Sequence, residues 1–155
     1  MKFEELCDAR YSLRKFDSRP VEAEKLQKVL EAGRKAPTAH NLQPQRFFVM
    51  QSEEALAKAD TCTACHFHPP VVIVAAYDPE IAWKREEDGK NHGEIDVTLA
   101  VSQMMLQAAD LGLGTTYVGM FNTEKLLEQF PEMKGLQPTA YLPIGYPAET
   151  AHPSR

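Results

Sequence analysis

An α+β fold, with a modest sheet flanked by helices, is what this 155-residue sequence predicts. Three observations carry that reading. Two helical stretches precede any strand pattern. Short strand-like runs then alternate with helices at irregular spacing, unlike a strict βαβ repeat. The longest amphipathic helix, over 93–111, has an apolar side broad enough to pack on two surfaces.

The elements follow in chain order. Residues 3–9 form a short helix. Over 22–35, Leu26, Val29, Leu30 and Gly33 fall at i, i+3, i+4 and i+7 with charges between them, which is a helical period. Pro37 ends that helix, and Thr38 to Pro44 is loop. Arg46 to Met50 is a strand, and Ser52 caps a short helix running through Ala59. Val71 to Tyr77 is apolar, β-branched and preceded by two prolines, as a buried strand requires. Residues 78–92 are polar, carry the only tryptophan, Trp83, and lack periodicity; they read as an excursion or lid.

In the long helix, Ile95, Leu99, Ser102, Leu106 and Ala109 recur at helical spacing, and Val101, Met104, Met105 and Leu113 widen the apolar side. That breadth suits a dimer interface. Gly112 is the expected stop. Thr115 to Gly119 is a strand, and Thr123 opens a helix to Phe130 that Pro131 closes. Thr139 to Gly145 is the last strand, and Pro143 within it favours an edge position.

The chain reads as a single domain, residues 1–155. At 43% hydrophobic and 25% charged residues it has the composition of a globular protein, which excludes disordered and fibrous classes. A net charge of −5 argues against a nucleic-acid partner. The longest apolar run, Val71 to Ala76, is far too short to span a membrane. Met1 to Leu6 has no apolar h-region, so a cytoplasmic location is expected. Three cysteines, an odd number, argue against a disulfide framework.

The chemistry concentrates in a few segments. In extended chain, Arg10, Ser12 and Arg14 project from one face. Two guanidinium forks and a hydroxyl suit a phosphate; a solvated surface strand is the bland alternative. Ala36 to Pro44 adds neutral amides and a hydroxyl on a turn-rich loop. Together they point to a phosphorylated, aromatic cofactor. Gly112-Leu113-Gly114 follows a helix, the reverse of the Rossmann order, so it is either a helix stop with a tight turn or a place where backbone approaches a flat ligand. Cys62-Thr63-Ala64-Cys65-His66 has the C-x-x-C-H form. A haem or metal site, with His68 as a further ligand, a redox-active thiol pair and a chance loop all remain open there. No G-x-S-x-G elbow occurs. Asp96 reads as a first-turn carboxylate favouring the helix dipole, and His40 and His92 as solvated loop histidines.

Four motifs in order carry a resemblance. They are Arg10-Tyr11-Ser12-Leu13-Arg14-Lys15-Phe16, then Ala36-Pro37-Thr38-Ala39-His40-Asn41-Leu42-Gln43-Pro44-Gln45, then Gly112-Leu113-Gly114 running to Gly119, and Ile144-Gly145-Tyr146-Pro147. With these the chain resembles the short members of the nitroreductase family of FMN-dependent oxidoreductases. The resemblance implies a central, mostly antiparallel sheet flanked by helices and a homodimer with FMN at the interface. Arg10, Tyr11, Ser12 and Arg14 map to the phosphate and ribityl end. Arg14 is the candidate positive group near the flavin N1–O2 edge. Pro37, Thr38, Ala39, Asn41 and Gln43 map to a loop that reaches the flavin bound mainly by the partner. Tyr117, Val118 and Gly119 map to the backbone edge beside the ring, and Arg155 to a C-terminal phosphate contact.

The implied reaction is a ping-pong transfer. NADH or NADPH gives a hydride to the flavin, and an aromatic or quinone-type small-molecule acceptor takes it. No catalytic acid or base and no metal ligand is assigned. A flavin-binding sensor or carrier without turnover shares every one of these residues. Two departures stand out. Gln45 replaces the family's usual aromatic residue, and the chain stops at Arg155 where many members continue into an arm around the partner.

Overall fold

One strand has to be covered twice, and the architecture follows from that. In the computed structural model, which describes residues 1–151, β2 (Val71–Tyr77) is buried at every residue but Tyr77. It pairs antiparallel with β1 (Gln45–Met50) on one side and with β4 (Gln137–Gly145) on the other. A two-residue β3 (Gly114–Thr115) pairs with β4, giving the antiparallel order β1-β2-β4-β3.

Alternate residues of a strand face opposite sides. Val71, Ile73 and Ala75 pack with Leu26 and Val29 of α2 (Ala23–Arg34) and with Val97, Val101 and Met104 of α4 (Gly93–Asp110). Val72 and Val74 pack instead with Ala59 of α3 (Glu53–Asp60) and Leu126 of α5 (Thr123–Gln129). The sheet is therefore a middle layer between two pairs of helices. The first helix, α1 (Phe3–Ala9), buries none of its residues and is tied to the end of α4 by the Met1 ammonium, 3.6 Å from Asp110.

Local chemistry sets the boundaries. Ser52 Oγ accepts the Ala55 N–H at 3.1 Å and starts α3. Asn122 Oδ1 accepts the Lys125 N–H at 2.9 Å and starts α5, so the cap lies one residue ahead of Thr123. Gly112 takes φ +79° just past α4, the left-handed turn that stops a helix. Gly33 lets α2 approach α4; a Cβ there would lie 2.6 Å from Met104 Sδ and 2.9 Å from the Phe47 ring.

Two expectations need correction. Thr115 to Gly119 is not one strand: β3 ends at Thr115, and Val118 forms an isolated bridge with Tyr141. Pro143 does not mark an edge, because β4 lies between β2 and β3. The reason is local. Tyr141 donates its N–H to Val118 on the β3 side. Residues two apart donate in the same direction, so the N–H that Pro143 lacks would also point to that side. Opposite Pro143 the chain has left the ladder between Thr115 and Val118, so no ladder bond is lost there.

The chain after α1 returns to the far rim of this sheet. The Leu13 N–H donates to the Thr115 carbonyl at 2.9 Å, Asp17 N–H to Tyr146 at 2.8 Å, and Ala148 N–H to Lys15 at 3.0 Å. Tyr146 is clamped in turn. Its hydroxyl accepts from Lys25 Nζ at 2.8 Å and donates to Glu22, and the Arg19 guanidinium lies 4.0 Å over its ring. The bond from Tyr146 holds the Glu22 carboxyl below the usual carboxylate range. Leu13 is fully buried, and a Cβ on Gly114 would come within 2.1 Å of Leu13 Cδ2. Gly114→Ala therefore has to displace a core leucine. It is expected to cost about 1–3 kcal/mol in urea denaturation, and an unchanged midpoint would show that Leu13 is free to move.

Candidate functional site

The first motif leaves α1 in extended conformation, Arg10 being its C-cap at φ −65°, ψ 129°. From there the alternation is as expected. Leu13 turns into the core, Ser12 is half-buried in a parallel bridge with Thr115, and Arg14 is exposed. The Arg14 side chain has no hydrogen bond or ion pair among the described residues, which leaves its charge available to an anion. Arg10 and Tyr11 line a small cavity of about 140 Å³ with Gly112, Gly114, Thr115 and Pro147. Burial pushes the Tyr11 phenol up, and the nearby Glu149 charge adds to the effect.

The second motif is a strained loop. A single 3₁₀ turn, Ala39–Asn41, sits within it, and His40, Asn41 and Gln43 have φ of 53°, 52° and 52°. Left-handed backbone costs a non-glycine residue about 1–3 kcal/mol, somewhat less for asparagine. Specific bonds hold it. Thr38 Oγ1 accepts the Gln43 N–H at 3.1 Å, the Thr38 carbonyl accepts the Asn41 N–H at 2.9 Å, and Asp96 Oδ1 accepts the Ala39 N–H at 3.0 Å.

Asp96 is 1% exposed, and its second oxygen has no partner. The sequence reading missed this anchoring role, because the two ends of the bond lie 57 residues apart. Nor are the two loop histidines simply solvated. His92 is half-buried, and the exposed His40 stacks on Trp83 with ring centroids 5.1 Å apart. Pro37 is exposed, and Gln45 is buried with Nε2 donating to the Gly33 carbonyl at 3.3 Å.

The third segment offers a backbone edge. Val118 is buried and exchanges both backbone hydrogen bonds with Tyr141, each 2.9 Å. Tyr117 and Gly119 on either side are exposed, and a Cβ built on Gly119 meets nothing within 4 Å. The backbone at Gly119 is therefore open to an approaching group. The Tyr117 hydroxyl is 3.5 Å from Thr98 Oγ1 of α4.

Within one chain the first, third and fourth motifs meet at the β3 rim of the sheet, while the second leads into β1 at the opposite edge. Arg10 and Tyr11 line the small cavity, Val118 a cavity of about 590 Å³ with Cys65, His68 and Tyr141, and Pro37 a groove of about 680 Å³ along α1 and α4. Arg155 lies outside the described residues. In the C-x-x-C-H segment, Cys62 is buried with Sγ donating to the Lys58 carbonyl at 3.4 Å, Cys65 is half-buried, and His66 Nδ1 lies 2.8 Å from Asp60. Among the described residues no group of three or more His, Cys, Asp or Glu side chains is placed to hold a metal ion.

The nitroreductase family model matches residues 8–68 and 64–146. The chain belongs to the nitroreductase family. A solved nitroreductase family protein from Clostridium difficile 630 is 39% identical and superposes with a TM-score of 0.94, over 98% of this chain and 88% of that one. An NADH dehydrogenase of Thermus thermophilus is 28% identical over 94% of this chain and 86% of its own length. The FMN reductase [NAD(P)H] of Bacillus subtilis is 28% identical over 93% of this chain and 65% of its own. The nitroreductase fold accounts for the antiparallel sheet with helices on both faces.

Asp96→Ala removes the acceptor of a half-buried N–H. A loss of about 1–3 kcal/mol is expected in urea denaturation, with Asp96→Asn closer to the parent because an acceptor remains. Equal losses in the two variants would show that the charge, and not the bond to Ala39, is what matters.

Proposed function

We propose that this protein is an FMN-dependent NAD(P)H oxidoreductase that works as a cytoplasmic homodimer and passes electrons to a small-molecule acceptor. The observation that carries this reading is that the Pro37 loop lies beside the exposed apolar face of α4, at the sheet edge opposite the other three motifs, inside a nitroreductase fold. A second copy would supply the missing walls. The relatives named for FMN, NADH and NAD(P)H support the cofactor and the donor.

The residues present fit the group. Arg10, Ser12 and Arg14 would take the phosphate and ribityl end, and the uncommitted, exposed charge of Arg14 suits either a phosphate or an anionic ring edge. The open backbone from Tyr117 to Gly119 would lie along the ring. Pro37, Thr38, Ala39, Asn41 and Gln43 would approach the flavin of the other copy. FMN, when bound, supplies the two-electron exchange between nicotinamide and acceptor. The protein holds and orients the participants, and no side chain need move a proton.

The dimer has a surface to form on. Ile95 and Leu99 of α4 are 40% and 46% exposed, and Leu99 and Leu106 line the groove that also includes Pro37. The apolar face of α4 therefore runs directly into the loop that would meet the partner's cofactor.

Three results test the reading. The purified protein should show flavin absorption that bleaches when NADH or NADPH is added without oxygen; bands that persist would indicate a flavin-binding protein without turnover. Arg10→Ala or Arg14→Ala should each weaken FMN binding by about 1.5–3 kcal/mol in a fluorescence titration, as loss of a charge-assisted bond does. Leu99→Arg should yield a monomer in sedimentation that retains flavin poorly. A Leu99→Arg monomer with full flavin occupancy would place the cofactor within one chain.

A further inference from the structure

The excursion between β2 and α4 matches none of the four motifs, yet it is ordered and contacts one of them. Lys84 bridges to Asn91, and the Arg85 N–H donates to Lys90 at 2.9 Å. Arg85 pairs with Asp88 across the tip. At its base sits Trp83, half-buried, between two histidines. Its ring centroid is 5.1 Å from His40 at an interplanar angle of 30°, and 4.6 Å from His92 at 60°.

These contacts close a circuit. His92 donates its N–H to the Trp83 carbonyl at 2.8 Å and accepts the Asp96 N–H at 3.0 Å. Asp96 in turn accepts the Ala39 N–H from the 38–43 loop. The loop residue next to Ala39 is His40, which returns to Trp83 through its ring. The left-handed turn is therefore gripped on one side by a buried carboxylate and on the other by an indole. His40 is itself one of the three residues at positive φ. A stacked ring partner favours the one backbone conformation that keeps the imidazole on the indole.

We propose that Trp83 is a positioning residue: stacked on His40, it holds Thr38 to Gln43 in the strained form that meets the flavin of the second copy. This rests on the FMN reading above. It gives the excursion a role on the cofactor side, and any change of excursion sequence that displaces Trp83 would be felt at the flavin.

Amide exchange tests the loop without any cofactor. In Trp83→Ala, protection of the Ala39 and Gln43 amides should fall about tenfold, while those of Val74 and Leu142 in the sheet stay unchanged. Trp83→Phe keeps a stacking ring and should restore protection. If the loop then spends only about a tenth of its time in the competent form, the FMN dissociation constant of Trp83→Ala rises about tenfold. Adding His40→Ala to Trp83→Ala should weaken FMN binding no further, because the two rings act as one unit. Unchanged loop protection overturns the proposal, as does a uniform fall that includes the sheet amides, or loss of stability without loss of FMN affinity. A parent protein that binds no FMN overturns the flavin reading instead, and exchange still decides whether Trp83 holds the loop.

Discussion

Burial of β2 on both faces is the constraint on which the molecule depends. A strand of Val71-Val72-Ile73-Val74-Ala75-Ala76 has no side that can meet water, so helices must lie above and below it. Each buried side chain of this size contributes about 1.5–3 kcal/mol, and the two faces draw on different parts of the chain. The side with α2 and α4 joins the N-terminal half to the long helix, and the side with α3 and α5 joins the middle to the C-terminal third. Register follows: Phe47 opposite Ala75 and Leu142 opposite Ile73 put large residues beside small or branched ones.

From that layer the rim of the sheet becomes a place where distant segments can be held next to one another. Leu13 lies against Gly114, Asp17 bonds to Tyr146, and Tyr146 is clamped by Glu22, Lys25 and Arg19. Three of the four motifs thus include residues that serve the fold. Gly114 is small because Leu13 needs the space. Tyr146 is a polar hub for the first turn of α2. The Arg14 side chain is left exposed, with no hydrogen bond or ion pair among the described residues. A rigid seam that presents uncommitted charge is what anion binding asks for, since little ordering remains to be done when the ligand arrives.

The loop after α2 shows the opposite economy. Three non-glycine residues at positive φ are unfavourable by themselves, and they persist because Asp96, Thr38 and Trp83 over-determine them. Placing the strain next to Pro37, at the end of the apolar groove of α4, puts a shaped and poorly compliant segment where a second copy would dock. The same α4 that fills the core through Val97, Val101 and Met104 exposes Ile95 and Leu99 on its other side.

The sequence by itself determined most of the elements and the family. Periodicity located α2 and α4, capping residues located α3, and β-branched apolar residues located β2, because each of these signals is local along the chain. The residue types of the four motifs marked the candidate site for the same reason. What only the tertiary structure decided depends on partners far apart in sequence. Pro143 is tolerated inside the sheet because the opposing ladder breaks between Thr115 and Val118. Asp96 anchors Ala39 rather than merely favouring a helix dipole, and Trp83 lies on His40, because the fold brings α4 and the excursion beside the second motif. No pattern within a window of the chain encodes such contacts, since each exists only once the two-sided packing around β2 has closed.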